Sequence, residues 1–255
     1  MAKVEYKDMI KFVHEITEVH NLFKGLSLAP LKSFEGREIE PLMEYETKLA
    51  SGFRRLYQVN GDSKIEKICI GELHYMKRAI YSSFSMTPTG DYDLPMFMVE
   101  FDQSPPWVSV TVDFFPLVDI AVYDDYRVKY LDPLEPLWNK YKEIPGITEG
   151  DRCLVGRRFA PWAWALTTLS PYVIDGKVRE TEDRYRALEA AVEYARVWLK
   201  LCTIAEPIKE TAYKEEVLVR RRQIRQYYEE RDPGVEVSKK IFGEERAEMS
   251  MGLLF

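Results

Sequence analysis

The sequence is poor in the residues that most often build metal-binding and nucleophilic centres, with three cysteines and three histidines among 255 residues. The cysteines, Cys69, Cys153 and Cys202, are odd in number and lack metal-ligand spacing, which is typical of a protein from a reducing compartment. Neither a phosphate-binding loop, a dinucleotide fingerprint nor a nucleophile-elbow serine is present. We therefore expect no metal site and no nucleotide or serine-hydrolase chemistry of the familiar kinds.

The sequence also lacks a long apolar run and an excess of positive charge. No stretch is long enough to span a membrane, and the charged N-terminus has no signal-peptide core. The net charge of −6 gives no reason to expect nucleic acid. We expect a cytoplasmic, monomeric protein with a single domain over residues 1–255, because no break in composition divides the chain.

Hydrophobic periodicity in the first half of the chain predicts one helix followed by a run of strands. Apolar residues at helical spacing predict a helix over residues 3–24, and prolines and charges predict a surface loop over 26–45. Alternating and β-branched residues then predict an antiparallel meander with strands at Phe53–Val59, Lys64–Ile70, Leu73–Met86, Leu94–Val99 and Trp107–Asp113.

The second half of the chain is predicted to be mostly helical. Its expected elements are a proline-broken helix at Asp124–Lys142, a strand at Ala160–Leu169, and helices at 181–202, 209–231 and 235–249. Helices, then strands, then helices argue against alternating βαβ units. The order favours an α/β fold, a three-layer α/β/α sandwich with a central antiparallel sheet.

Glu100 is the most notable acidic residue, because it follows directly on the apolar run Leu94–Val99. A carboxylate at the end of a buried strand needs a partner, or it holds its proton more tightly than free glutamate does. Ser104-Pro105-Pro106 predicts a chain reversal that brings Trp107–Asp113 back as the neighbouring strand. The alternative interpretation is a core hairpin whose glutamate is simply solvated.

Two further groups of residues allow both a functional and a structural interpretation. His74, close to Glu72 in a predicted strand, is either a catalytic residue or a hydrogen-bonded core histidine. A basic block in the helix 209–231 is either a docking patch for an acidic partner or a solvated face with local ion pairs. This block consists of Arg220, Arg221, Arg222 and Arg225.

Several short stretches, in order, resemble the ferredoxin-dependent bilin reductases. The first is the core hairpin, Asp91–Glu100 with Val112–Val118; the others are Glu230-Arg231-Asp232-Pro233, Ile241-Phe242-Gly243 and Leu253-Leu254-Phe255. Val197-Trp198-Leu199 and Gln103-Ser104-Pro105 are similar to red chlorophyll catabolite reductase, which shares the fold and has Glu at the position of Glu100, where the bilin reductases have Asp.

The resemblance implies an open-chain tetrapyrrole held between the sheet and the C-terminal helices. It implies no bound cofactor, reduced ferredoxin as the external electron donor, and protons supplied by pocket carboxyls. Glu100 would be the main acid, with Glu193 or Asp183 as the second carboxyl and His74 as a further candidate. Ser83 counts onto a histidine of some relatives, so chemistry through that histidine is not expected.

The remaining site residues follow from the same resemblance. Ser83, Met98 and Asp113 would contact the substrate, and the basic block would dock ferredoxin. The leading hypothesis is a reductase of biliverdin or a dihydrobiliverdin. The alternatives are a red chlorophyll catabolite reductase-like enzyme and a bilin carrier without turnover.

Overall fold

The first part of the chain forms one helix and a set of short edge strands. The computed structural model describes residues 5–23, 25–34, 37–39, 42–61, 64–147 and 167–252. Helix α1 (Tyr6–Asn21) confirms the first predicted helix. The segment expected to be a loop contains four short strands instead, β1 (Leu28–Pro30), β2 (Ser33–Phe34), β3 (Arg37–Glu38) and β4 (Leu42–Glu46).

One large antiparallel sheet runs through the molecule. Its long strands are β5 (Ala50–Val59), β6 (Ile65–Tyr75), β7 (Ala79–Pro88), β8 (Met96–Ser104) and β9 (Trp107–Phe115), followed by β10 (Ile174–Val178). The strand order is β1-β5-β6-β7-β8-β9-β10, and β4 also pairs with β5. The meander therefore has the predicted direction, and β8 lies inside the sheet with a neighbour on each side.

The turn between β6 and β7 lies later in the chain than predicted. The expected break was near Gly71, between Ile70 and Leu73, whereas β6 continues to Tyr75. Met76 and Lys77 form the turn with φ of 44° and 55°, as in a type I′ hairpin turn. Neither residue is the Gly, Asn or Asp that usually marks such a turn, so the sequence does not reveal it.

The hairpin between β8 and β9 has the predicted reversal but a longer first strand. A cis peptide joins Pro105 to Pro106 in the turn, and Ser104 pairs with Trp107. Since β8 continues to Ser104, Glu100 lies in the middle of a strand. The expectation that it ends the strand is wrong, because only the apolar pattern stops there.

The predicted proline-broken helix is confirmed as separate pieces. These are α2 (Asp124–Tyr126), a π-helical turn at Arg127–Leu131, a 3-10 turn at Asp132–Leu134, and α3 (Glu135–Tyr141). Pro133 lies at the start of the 3-10 turn, where a missing N–H is tolerated.

The strand predicted at Ala160–Leu169 is not supported. Residues 160–166 lie outside the described residues, and Thr167–Leu169 form a turn. The last strand is β10, which the sequence pattern did not indicate.

The C-terminal helices largely agree with the prediction. They are α4 (Thr181–Ile204), α5 (Thr211–Arg231), α6 (Pro233–Phe242) and α7 (Glu244–Gly252). The single helix expected at 235–249 is interrupted by Gly243, whose φ of 83° is accessible to glycine at little cost.

Helices cover both faces of the sheet, which confirms the α/β/α sandwich. Consecutive residues of a strand point to opposite faces. In β9, Phe114 packs edge-to-face on Tyr194 of α4, whereas Phe115 packs on Tyr228 of α5. Phe12 of α1 packs on Phe101, on the same side as α4. We call the side covered by α1 and α4 the N-terminal face and the side covered by α5 and α6 the C-terminal face.

Candidate active site

Five polar side chains and one glycine form a transverse row across the C-terminal face of the sheet. Directly paired residues of neighbouring strands lie on the same face. The register joins six residues in this way, one from each of β5 to β10: Arg54, Gly71, Ser83, Glu100, Thr111 and Asp175. Glu100 keeps part of its surface accessible although β8 is an inner strand. The row therefore lies between the sheet and the C-terminal helices, with Glu100 partly accessible from outside.

Glu100 is the acid at the centre of this row. The Tyr81 hydroxyl, on the neighbouring strand, donates a hydrogen bond to its Oε1. Burial, followed by the negative charge of Asp232, raises the pKa of Glu100 to about 7. The bond from Tyr81 and the positive charge of Arg54 oppose this rise. Glu100 can consequently hold a proton at neutral pH and also release it.

Asp113 is a second buried acid on the same face, two residues beyond the row in β9. It pairs with Met98, and its carboxylate accepts hydrogen bonds from the backbone N and the Oγ of Ser170 at 2.8 and 2.5 Å. Burial raises the pKa of Asp113 to about 7, even though the Ser170 bonds favour the ionised form. Two carboxyls on neighbouring strands thus titrate near neutral pH.

Asp232 faces the sheet from the junction of α5 and α6. Its side chain caps α6 by accepting a hydrogen bond of 2.6 Å from the Gly234 backbone N. Burial raises the pKa of Asp232 to about 6, while the cap and Arg54 oppose the rise. Tyr228 of α5 is buried beside the same carboxyls, and its pKa is raised well above the usual value by burial and then by Glu100.

This arrangement can donate protons to a ligand that contacts the buried acids. Three carboxyls whose pKa values are raised by burial lie near the Tyr228 phenol. Carboxyl groups poised near the working pH are the usual donors in general acid catalysis. Within the described residues, no group of three acidic, histidine or cysteine side chains gathers closely enough to hold a metal ion.

The sequence profile of the ferredoxin-dependent bilin reductases matches residues 77–255, which is most of the chain. The chain belongs to the ferredoxin-dependent bilin reductase family. The match begins at the turn into β7 and covers Glu100, Asp113 and Asp232.

Two curated relatives are similar to this member of the bilin reductase family. One is the chloroplastic phytochromobilin:ferredoxin oxidoreductase of Arabidopsis thaliana, 24% identical over 163 residues. The other is the 15,16-dihydrobiliverdin:ferredoxin oxidoreductase of Nostoc punctiforme, 25% identical over 162 residues. The matches cover 62% and 63% of this chain but only 45% and 61% of the relatives.

A solved structure shares the fold. The crystal structure of phytochromobilin synthase from tomato in complex with biliverdin aligns with a TM-score of 0.74 at 18% identity. The alignment covers 95% of this chain and 83% of the tomato chain. The fold of the bilin reductase family therefore extends over the N-terminal strands that the sequence profile does not match.

Of the predicted site residues, Glu100, Ser83, Met98 and Asp113 come together. Ser83 pairs with Glu100 across β7 and β8, and Met98 pairs with both Ser85 and Asp113. All four lie on the C-terminal face. Their roles in binding and catalysis stay predictions.

His74 lies on the other face of the sheet from Glu100. Its Nδ1 is 2.6 Å from the Tyr6 hydroxyl of α1, and its Nε2 is 2.5 Å from Glu72. His74 pairs with Ile80, three residues from Ser83, so the two side chains point in opposite directions. The expectation that His74 acts in the same pocket is wrong, and it is a hydrogen-bonded histidine between α1 and the sheet.

Glu193 and Asp183, the two candidates for the second pocket carboxyl, both belong to α4. Glu193 accepts a hydrogen bond of 2.9 Å from the Tyr141 hydroxyl and pairs with Lys140 at 3.2 Å, on the N-terminal face. Asp183 lies in the first turn of α4, beside a small cleft of about 210 Å³ that also includes Trp107 and Lys177. The prediction that Glu193 is the second pocket carboxyl is wrong, because this part of α4 covers the face opposite Glu100. Asp183 lines a separate cleft at the start of α4, and its predicted role stays a prediction.

The basic block does not form one surface patch, since successive residues of a helix point about 100° apart. Arg220 donates to the Thr167 carbonyl, and Arg221 pairs with Glu66 and donates to the Pro88 carbonyl at 2.9 Å. Arg222 is exposed and pairs with Glu215 at 2.9 Å. Arg225 is half-buried and lies 3.5 Å from Glu229. The four arginines therefore do not form one exposed patch, and their role in docking ferredoxin stays a prediction.

Sequence reasoning missed Arg54, Tyr81 and Asp232. Asp232 carried a usable signal, because Asp before Pro is typical of a helix N-terminus. Arg54 and Tyr81 carried none, because their positions relative to Glu100 depend on the register of neighbouring strands. Among the described residues, no helix is both long and apolar enough to cross a membrane.

Proposed function

We propose that this protein is an enzyme that reduces an open-chain tetrapyrrole, biliverdin or a dihydrobiliverdin, with electrons from ferredoxin. One observation carries the proposal: a chain of this family places Glu100, with a pKa of about 7, on the inner strand beneath the C-terminal helices. The names of the curated relatives support the choice of a bilin and of ferredoxin.

The proposed reaction couples single-electron transfers to proton transfers. Reducing one carbon–carbon double bond takes two electrons and two protons, and ferredoxin delivers its electrons one at a time. After the first electron, the bilin radical is more basic than the bilin and takes a proton from the protonated Glu100 carboxyl. A second electron and a second proton complete the new C–H bonds of a phycobilin-type product.

The surrounding residues hold the Glu100 carboxyl in position and resupply its proton after donation. The Tyr81 hydroxyl holds Oε1 of Glu100 in place. The pyrrole N–H groups of a bilin offer hydrogen bonds to a carboxylate, so Glu100 can also anchor the substrate. Asp232 and Asp113, with pKa values of about 6 and 7, are placed to supply further protons from α6 and β9.

The test is an anaerobic assay with biliverdin, ferredoxin and a reductant, followed by absorption spectroscopy and chromatography of the products. The proposal expects a ferredoxin-dependent change in the bilin spectrum and a reduced product. A bilin that binds and keeps its spectrum would support a carrier without turnover. Glu193→Gln is the matched control, because it removes a carboxyl on the other side of the sheet; it should leave turnover unchanged.

A further inference from the structure

We propose that Arg54 is a positioning residue whose buried positive charge sets how tightly Glu100 and Asp232 hold their protons. The inference rests on the proposed function, in which Glu100 gives a proton to the substrate. Arg54 lies in β5, in the part of the chain that precedes the family match at residues 77–255.

The register of the sheet places Arg54 and Glu100 in the same transverse row, on the same face. Arg54 pairs with Gly71, Gly71 with Ser83, and Ser83 with Glu100. Strands lie about 4.8 Å apart, so the Cα atoms of Arg54 and Glu100 are separated by three spacings, roughly 14 Å. An extended arginine side chain covers about half of that distance.

The Arg54 side chain extends over the neighbouring strand β6, where it comes close to Gly71. A Cβ atom at Gly71 would lie 3.6 Å from Nη2 of Arg54 and 2.7 Å from Oγ of Ser83. The guanidinium group therefore lies over β6, with Nη2 near Gly71 and Nη1 4.0 Å from Sγ of Cys69, on the face that carries Glu100. Arg54 is only 7% exposed, so water screens its charge weakly.

The groups around Glu100 explain why a cation matters there. Asp102 follows in the same strand, Tyr81 faces Glu100 from β7, and Asp232 faces it from the start of α6. Tyr228 of α5 adds an uncharged phenol. Negative charges close together make each carboxyl harder to ionise, and a nearby positive charge makes ionisation easier.

Arg54 supplies such a charge to several of these groups. Its positive charge opposes the rise in pKa of Glu100 and of Asp232, and also that of Tyr81. If it were removed, Glu100 would hold its proton more tightly and become a weaker acid. The rate of proton donation would fall, but the protonated form would persist to higher pH.

The first experiment measures the Glu100 carboxyl in the ligand-free protein by infrared difference spectroscopy against pH. The Glu100→Gln variant identifies the Glu100 band. In Arg54→Gln the midpoint of the Glu100 titration should rise by about one pH unit or more, and Arg54→Lys should restore most of the difference. An unchanged midpoint in Arg54→Gln overturns the inference. If Arg54→Gln does not fold, Arg54→Met takes its place with the same expectation.

Arg184→Gln is the matched control. Arg184 is as buried as Arg54, at 6% exposed, but it donates to the carbonyls of Pro106 and Arg179 near the start of α4. Its substitution should lower stability without moving the Glu100 midpoint. An equal shift in Arg184→Gln would mean that general loosening, and not the charge of Arg54, moves the titration.

The second experiment records the rate of bilin reduction against pH. In Arg54→Gln the maximal rate should fall several-fold, and the alkaline limb should move up by the same interval as the infrared midpoint. A shifted midpoint in a protein that never reduces bilin supports the role of Arg54 and contradicts the proposed function. Normal turnover with an unshifted alkaline limb contradicts the role of Arg54 alone.

Discussion

Burial and Asp232 raise the pKa of Glu100, whereas Tyr81 and Arg54 lower it. Replacing the carboxyl by an amide tests whether its proton is needed. Glu100→Gln keeps the size and the hydrogen bonding of the side chain but removes the acidic proton. We expect bilin affinity within about tenfold of the wild type, roughly 1.4 kcal/mol. Turnover should fall about 100-fold or more, the usual scale for losing a positioned acid.

Absorption titrations with biliverdin and anaerobic rate measurements check this prediction. A bilin radical should accumulate in Glu100→Gln, because electrons still arrive while protonation stalls. Wild-type rates in Glu100→Gln would instead move the role of proton donor to Asp113 or Asp232.

The raised pKa values of the pocket acids also predict how stability depends on pH. Burial raises the pKa of Glu100 to about 7 in the folded protein, above the usual value near 4.5. A folded state that binds protons more tightly than the unfolded state loses stability as pH rises. The contribution of Glu100 is therefore fully present below about pH 4.5 and is lost as pH rises through about 7.

Urea denaturation at several pH values measures this effect. The free energy of unfolding should decrease between about pH 5 and pH 8 in the wild type, and the decrease should be smaller in Glu100→Gln. Asp113→Asn should reduce the slope in the same way, because its pKa is also raised to about 7. Equal slopes in all three proteins would show that these acids do not titrate as described.

At the scale of the element, β6 depends on a glycine in its interior. We expect Gly71→Ala to lower the free energy of unfolding by about 1–3 kcal/mol, the usual cost of overpacking. The added Cβ atom would lie 2.7 Å from Oγ of Ser83. Gly71→Ala combined with Ser83→Ala should recover part of the loss, because the clashing oxygen is gone.

Urea denaturation curves of the single and double variants check this prediction. Gly25→Ala is the control, since a Cβ atom at Gly25 would meet nothing within 4 Å. If Gly71→Ala were as stable as Gly25→Ala, β6 and β7 would adjust to the added methyl group at little cost in stability.

Elements with strong periodicity were predictable from the sequence. The stripe that includes Leu188, Ala191, Ala195 and Trp198 predicts α4, and all four residues are buried in it. The alternation Trp107–Asp113 predicts β9 for the same reason, because one face of a half-buried strand repeats every second residue. The spacing of apolar residues within the segment decides whether such an element forms, so it can be predicted from a single sequence.

The parts that sequence reasoning missed depend on non-local register. The predicted break between Ile70 and Leu73 falls at Gly71, yet Gly71 is a residue of β6 that packs closely against Ser83 of the next strand. Glu193 was placed by counting along α4, and counting cannot tell which face of the sheet the helix covers. Glu100 was found because a charge that interrupts a buried run is visible locally, whereas its partners Tyr81 and Asp232 come from other elements.

At the scale of the whole molecule, only part of the basic block is available to an acidic partner. The Arg222 side chain is 56% exposed, whereas that of Arg221 is 13% exposed. If α5 helps dock ferredoxin, Arg222→Glu should slow reduction about three- to tenfold at low salt and leave bilin binding intact. The effect should shrink as salt rises, because exposed charges are screened beyond about 8–10 Å.

Arg221→Glu should act differently and serves as the comparison. It breaks the pair with Glu66 and the bond to the Pro88 carbonyl, so the melting temperature should fall and high salt should not restore the rate. Stopped-flow reduction at two salt concentrations and thermal melts check both variants. A salt-independent rate in Arg222→Glu equal to the wild type would remove α5 from the docking surface.

The pairing of β6 with β7 has a consequence for how the chain can be divided. The family match begins at residue 77, in the turn that joins these two strands. A fragment cut there would keep Glu100, Asp113 and Asp232 but leave β7 paired with β8 alone. The backbone donors and acceptors of β7 that pair with β6 would then lie unpaired at a sheet edge, a ready template for another chain. The N-terminal strands therefore cover this edge of β7 and also supply Arg54.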